Sequence, residues 1–210
     1  NRGFREARAP FVAFIDDDAR AEPDWASRIL RHFSSVQPQP LCVGGKYLPW
    51  YETPPPAWFT DDFETRTWGE TEGFLTGPRQ RFGLSGSNMA YPKAVLETFG
   101  GFPTNPALMR RDRLFFYDPK LVVHHYTTPR NWETGYRLQR ATKAGISIAY
   151  VEQSRVTNSF FWKMLAYGLK QLVLYPFRLL FGRGLFKARW LRATQELYYV
   201  AGYLRGSFSR

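Results

Sequence analysis

The chain has 210 residues, enough for one well-packed domain and a small appendage but not for two full domains. Its 29 Lys and Arg against 18 Asp and Glu give a formal charge of +11, which selects an anionic partner such as membrane lipid, nucleic acid or a phosphorylated substrate. The single Cys42 excludes an intramolecular disulfide and a Cys-based zinc cage and points to a reducing compartment.

Aromatic residues reach 18%, more than a small core needs, and imply binding surfaces or interfacial anchoring. The sequence opens at Asn1 without Met and without the apolar core of a signal peptide, so a fragment of a longer chain is expected.

The run Phe11-Val12-Ala13-Phe14-Ile15 reads as a fully buried strand, and it ends in three carboxylates, Asp16, Asp17 and Asp18. Acids grouped at the end of a buried strand are costly unless a cation is bound there. In open α/β sheets ligands gather outside the carboxyl ends of strands, so a divalent metal is the simplest occupant. Asp also suits turns and helix caps, and an acidic turn is the alternative.

Ala21-Glu22-Pro23-Asp24-Trp25 has the pattern of a helix start. Trp25, Ile29 and Phe33, with Leu30 beside them, give that helix one apolar face, and residues 34–40 end it. Leu41-Cys42-Val43-Gly44-Gly45 reads as a second buried strand whose paired glycines admit a ligand or another backbone, or else mark a bulge. The segment 47–81 has no sustained period and combines Pro54-Pro55-Pro56 with Trp50, Trp58, Trp68 and several acids. That mixture suits sugar recognition, with rings stacking on a pyranose and carboxylates accepting from hydroxyls. A loop that tucks its aromatics into its own core has the same composition.

Gly86, Ser87 and Asn88 offer backbone N–H groups and an amide to a ligand, or form a tight turn. A short helix from Lys93 to Phe99 follows, closed by Gly100-Gly101. Residues 113–126 read as two strand-like pieces around Asp118-Pro119. Leu121, Val123 and His125 fall on one face, and Val122, His124 and Tyr126 on the other, so only one of the adjacent histidines reaches any shared site. Residues 131–145 have the pattern of a basic amphipathic helix, with Arg130, Arg137, Arg140 and Lys143 and a stop at Gly145.

From Ser154 the composition changes, with no acid between Glu152 and Glu196. Cations, Pro176, Gly182 and Gly184 interrupt every apolar run before the roughly 20 residues that a membrane span requires. Basic residues beside Trp162, Phe177, Phe181 and Trp190 are the signature of helices lying on an anionic membrane. A helical hairpin packed on the preceding domain, or an oligomer interface, is the other reading.

The order of these motifs resembles the family 2 glycosyltransferases, inverting enzymes of the GT-A fold. The matching segments are Asn1-Arg2-Gly3, Ala7-Arg8, Asp16-Asp17-Asp18, Pro23-Asp24-Trp25, Gly44-Gly45, Gly86-Ser87-Asn88-Met89-Ala90, Gly100-Gly101-Phe102, Tyr117-Asp118-Pro119 and Val122-Val123-His124-His125. They cover residues 1–150.

The resemblance implies an α/β chain with a GT-A-like mixed sheet flanked by helices. Residues 1–153 would form a partial catalytic domain and 154–210 a basic amphipathic, membrane-associated helical tail. It implies transfer of a sugar from a UDP- or GDP-linked donor to a hydroxyl acceptor in bacterial-type cell-surface glycan or glycolipid synthesis. Asp16, Asp17 and Asp18 with Gly86, Ser87 and Asn88 would bind the donor. Asp16, Asp18 and His125 would hold Mn²⁺ or Mg²⁺, with Asp18 the direct ligand, Asp16 on ribose or metal-bound water, and His124 the fallback for His125. The expected setting is peripheral, on the cytoplasmic face of the plasma membrane, with an oligomer allowed and nucleic acid excluded, since no RNA-binding or zinc-finger signature accompanies the basic tail.

Two departures accompany the resemblance. The family's first nucleoside-binding βαβ part is expected before Asn1, and the acidic pair that supplies its catalytic base is missing between Phe102 and Arg110, with Asp112 lacking the right context. A haloacid-dehalogenase-like phosphohydrolase also places Asp-x-Asp after a buried strand, but Ala19-Arg20 after Asp18 departs from its pattern. A non-catalytic membrane-binding or scaffold module is the second rival.

Overall fold

The structure is a computed structural model that describes residues 2–76, 84–101, 114–152, 154 and 156–209. The chain divides into two compact units, one of residues 1–52 and 61–127 and one of residues 53–60 and 128–210. Residues 53–60 and 128–153, grouped with the catalytic part on sequence grounds, fall in the second unit.

The first unit holds helix α1 (Arg2–Glu6), strands β1 (Phe11–Phe14) and β2 (Ala19–Ala21), helix α2 (Trp25–Ser35), strand β3 (Cys42–Trp50), the two-residue strand β4 (Gly73–Phe74), β5 (Met89–Pro92), helix α3 (Lys93–Thr98) and β6 (Phe115–Tyr126). The strands form one sheet in the order β1-β5-β3-β6-β2, with β4 also on β6. Only β3 and β6 run parallel; the other pairs are antiparallel. A mixed sheet flanked by helices is the GT-A-like architecture that the sequence implied.

The helical face of α2 forms as its spacing predicts, with Ile29 and Phe33 in one core cluster with Val43, Ala90, Phe116 and Leu121. Leu30 does not join that face and is exposed. The expectation of a fully buried first strand is corrected. β1 is an edge strand in which Val12 is buried, Ala13 is exposed and Ile15 beyond it is 41% exposed. Burial runs out toward the carboxylates because β1 has only β5 as a neighbour among the described residues.

The paired glycines serve close backbone approach. A Cβ at Gly45 would fall 1.9 Å from the Leu121 carbonyl oxygen, and one at Gly44 2.6 Å from that of Asn88. The two strand-like pieces around Pro119 are one strand, β6, whose register against β3 jumps from Asp118 to Val122 between Gly45 and Lys46. The bulge absorbs the proline without breaking the ladder.

The second unit contains helices α4 (Thr134–Val151), α5 (Ser159–Phe181) and α6 (Phe186–Phe208). Gly145 does not stop α4. It lies inside the helix, where a Cβ would fall 2.0 Å from the Tyr199 carbonyl oxygen of α6. Gly202 is the reciprocal notch on α6, 2.1 Å by the same measure from the Thr142 carbonyl oxygen. Asn158 caps α5 by accepting from the Phe161 N–H, and Pro176 lies inside that helix without ending it. Residues 53–60 belong to this unit through Phe59, whose ring meets Trp132 and the Arg137 guanidinium. No helix among the described residues is long and apolar enough to cross a membrane.

Candidate functional site

The three aspartates form a tight turn between β1 and β2, closed by the Ala19 N–H donating to the Asp16 carbonyl. The turn is pinned to the end of β6 by β2, which pairs Ala19 with His125, and by the Tyr126 N–H donating to the Asp18 carbonyl at 2.8 Å. These backbone bonds bring together residues far apart in sequence. His125 Nε2 lies 3.0 Å from Asp18 Oδ1 and 3.4 Å from Asp16 Oδ2. One ligating atom from each of Asp16, Asp18 and His125 falls within 4.8 Å of the others. Asp17 is exposed on the same turn.

The imidazole is held in place from its far side. Its Nδ1 lies 3.1 Å from the Tyr126 carbonyl oxygen, which can only accept, so in the neutral ring the proton sits on Nδ1 and the Nε2 lone pair faces the carboxylates. Tyr47 packs its ring 4.9 Å from that of His125. Two carboxylate oxygens and one ring nitrogen converging in this way are a donor set that a divalent ion such as Mn²⁺ accepts. A backbone carbonyl on the second ring nitrogen is the usual way a ligating histidine is oriented. His124 points the other way, as strand alternation requires, and its Nε2 lies 2.8 Å from Glu22 Oε1.

Beside Asp18 a cleft of about 330 Å³ is lined by Asp18, Trp50, Glu52 and Tyr126. The rings of Trp50 and Tyr126 are 5.6 Å apart, and the Tyr126 hydroxyl donates to Glu52 Oε2 at 2.5 Å. That bond to a carboxylate holds the phenol above its ordinary value of 10. Sequence reasoning placed Trp50 among the aromatics of the irregular segment and missed Glu52 and Tyr126 as its neighbours. The available signal was the acid two positions after Trp50.

Gly86, Ser87 and Asn88 lie in the turn that enters β5, where the tight-turn alternative is realised. Gly86 is exposed, and the Ser87 hydroxyl meets that of Ser85. Asn88 is fully buried and engaged on every side: Nδ2 donates to the carbonyls of Lys46 and Leu121, and Oδ1 accepts from Trp25 Nε1, each at 2.8 Å. Its amide ties α2 to both central strands.

A second polar cluster lies apart from the aspartate turn. Asp118, completely buried, takes His32 Nε2 at 2.8 Å and the Lys120 N–H at 2.7 Å, with Arg28 Nη1 at 3.4 Å. Burial pushes the Asp118 carboxyl up, but the His32 and Lys120 hydrogen bonds and the attraction of His32 and Arg28 outweigh it and hold it below its usual value. Cys42 is buried, which pushes its thiol up to about 12, far from a nucleophilic thiolate. Asp112 and the segment expected to contain the acidic pair lie outside the described residues.

Two comparisons bear on this arrangement. The family model described as Glycosyl transferase family 2 matches residues 1–100. A "Glucosyl-dolichyl phosphate glucuronosyltransferase" of Haloferax volcanii is 26% identical over 150 residues, which cover 71% of this chain and 43% of that protein. The chain thus spans less than half of the length of that curated relative.

Proposed function

We propose that this chain, whose residues 1–100 match the glycosyl transferase family 2 model, takes part in moving a sugar from a UDP- or GDP-linked donor to a hydroxyl of a glycan or glycolipid acceptor. The observation that carries the reading is the convergence of Asp16, Asp18 and His125 beside an aromatic cleft. The name of the Haloferax relative describes a transfer onto a lipid-linked sugar phosphate, which favours a lipid-linked saccharide as acceptor here. The cytoplasmic face of a membrane is the matching setting.

Asp18 Oδ1, Asp16 Oδ2 and His125 Nε2 would hold Mn²⁺ or Mg²⁺, with the nitrogen ligand favouring Mn²⁺. When bound, the ion supplies positive charge that stabilises the departing nucleoside diphosphate. The protein positions this donor set through the β2–β6 pairing and the Tyr126 carbonyl. Trp50 and Tyr126 offer apolar ring faces to the sugar, and Glu52 accepts from its hydroxyls. A single displacement at the anomeric carbon inverts its configuration. The full chain, given Mn²⁺, UDP- and GDP-sugars and a polyprenyl-phosphate-linked saccharide, is expected to form a product of inverted anomeric configuration by NMR. A product of retained configuration would overturn the reading.

A further inference from the structure

Helix α5 carries an apolar stripe that no described residue of its own unit covers. Trp162, Ala166, Leu169, Val173, Phe177 and Leu180 recur every three or four residues along it and are all exposed, Leu169 by 59% and Val173 by 67%. The opposite side of the same helix is where its buried residues lie, namely Phe161, Met164, Gly168 and Gln171. The helix is therefore amphipathic in an inverted sense, with a second apolar surface facing outward where a solvated helix carries polar groups.

Charge selects the occupant. Lys163 and Lys170 stand one above the other along the border of the stripe, and both are exposed. Neither pairs with a carboxylate among the described residues, and the sequence has no acid between Glu152 and Glu196. Glu196 itself accepts from the Tyr167 hydroxyl. A second copy laid stripe to stripe would bring these lysines against like charge with no acid on α5 to meet them. An anionic bilayer meets both requirements at once, taking the apolar residues into the acyl boundary and the ammonium groups at the headgroups. No described helix is apolar and long enough to span, so the helix would lie in the plane of the interface.

We propose that α5 is an interfacial anchor that seats its 162–180 stripe in the surface of an anionic membrane. The anchoring is independent of the sugar-transfer reading and holds whatever the chain's reaction is.

The test is flotation of the full chain with vesicles of phosphatidylcholine, with and without phosphatidylglycerol, at low and high salt. The wild-type chain is expected to float with the anionic vesicles, and raised salt should release it. Lys163→Glu with Lys170→Glu should reduce the floated fraction by about tenfold or more, from the loss of two cations near the surface. Leu169→Glu with Val173→Glu should abolish flotation while circular dichroism and Mn²⁺-dependent nucleotide-sugar protection stay unchanged, since both positions are exposed. Flotation that persists in the Leu169/Val173 variant would overturn the proposal. So would equal, salt-insensitive binding to neutral vesicles. A chain that ignores vesicles and instead forms a dimer, broken by the same variant in sedimentation velocity, would assign the stripe to a second copy.

Discussion

His125 Nε2 and Asp18 Oδ1 lie 3.0 Å apart although Asp18 follows β1 and His125 lies near the end of β6. The pairing of Ala19 with His125 sets that distance through the backbone. Removing the imidazole should therefore cost metal affinity without unfolding the sheet. His125→Ala is expected to weaken Mn²⁺ binding by more than about tenfold, and Mg²⁺ binding less, because an oxygen-preferring ion loses less with a nitrogen ligand. Titration of the protein with Mn²⁺ followed by electron paramagnetic resonance checks it.

Glu52 shares its cleft with Trp50 and Tyr126, and under the proposed function it would meet the sugar and not the nucleotide. Glu52→Gln should lower affinity for the intact nucleotide-sugar while leaving that for the bare nucleoside diphosphate unchanged. Calorimetric titration of both ligands with Mn²⁺ present separates the two, and an equal loss for both would place Glu52 elsewhere in the site.

Asp118 links structure to pH. Its folded value lies below the ordinary 3.8, so its stabilisation is fully present above that value and is lost as pH falls through the lower folded value. Asp118→Asn should destabilise the chain near neutrality by about 1–3 kcal/mol, since it puts an amide where His32, the Lys120 N–H and Arg28 face a buried carboxylate. It should also flatten the loss of stability on the acid side. Urea unfolding at neutral and acid pH measures both effects.

The helical unit gives a paired prediction about glycine. Gly202→Ala would force a Cβ to within 2.1 Å of the Thr142 carbonyl oxygen, and a loss of about 1–3 kcal/mol or more is expected from overpacking. Gly135→Ala meets nothing within 4 Å in the first part of α4 and should stabilise by up to about 1 kcal/mol through helix propensity. Thermal melts of the two variants should move in opposite directions.

The parts of this architecture that were legible in the sequence are those governed by local periodicity. The Trp25, Ile29 and Phe33 face of α2 follows from helical spacing, and the divergence of His124 from His125 follows from strand alternation. What sequence spacing could not supply is the identity of the partner across space. Gly145 has the same local signature as a helix stop and as a notch for a crossing helix, and only Tyr199 on α6 decides between them. Asn88 looks like a ligand-facing amide until Lys46, Leu121 and Trp25 are seen to occupy it. β1 reads as buried from its composition, yet its place at the edge of the sheet is a matter of topology. Glu52 and Tyr126 meet only because β3 and β6 run side by side.

The most direct test of the central claim is thermal protection of the full chain by UDP- and GDP-sugars in Mn²⁺, compared with Asp18→Ala. A ligand at about 100 times its Kd adds about 2.7 kcal/mol, which should raise the melting temperature of the unaltered chain by several degrees. The Asp18→Ala chain should show no such rise with the same sugars. Equal protection of the two chains would contradict the assignment of Asp16, Asp18 and His125 as the donor's metal site.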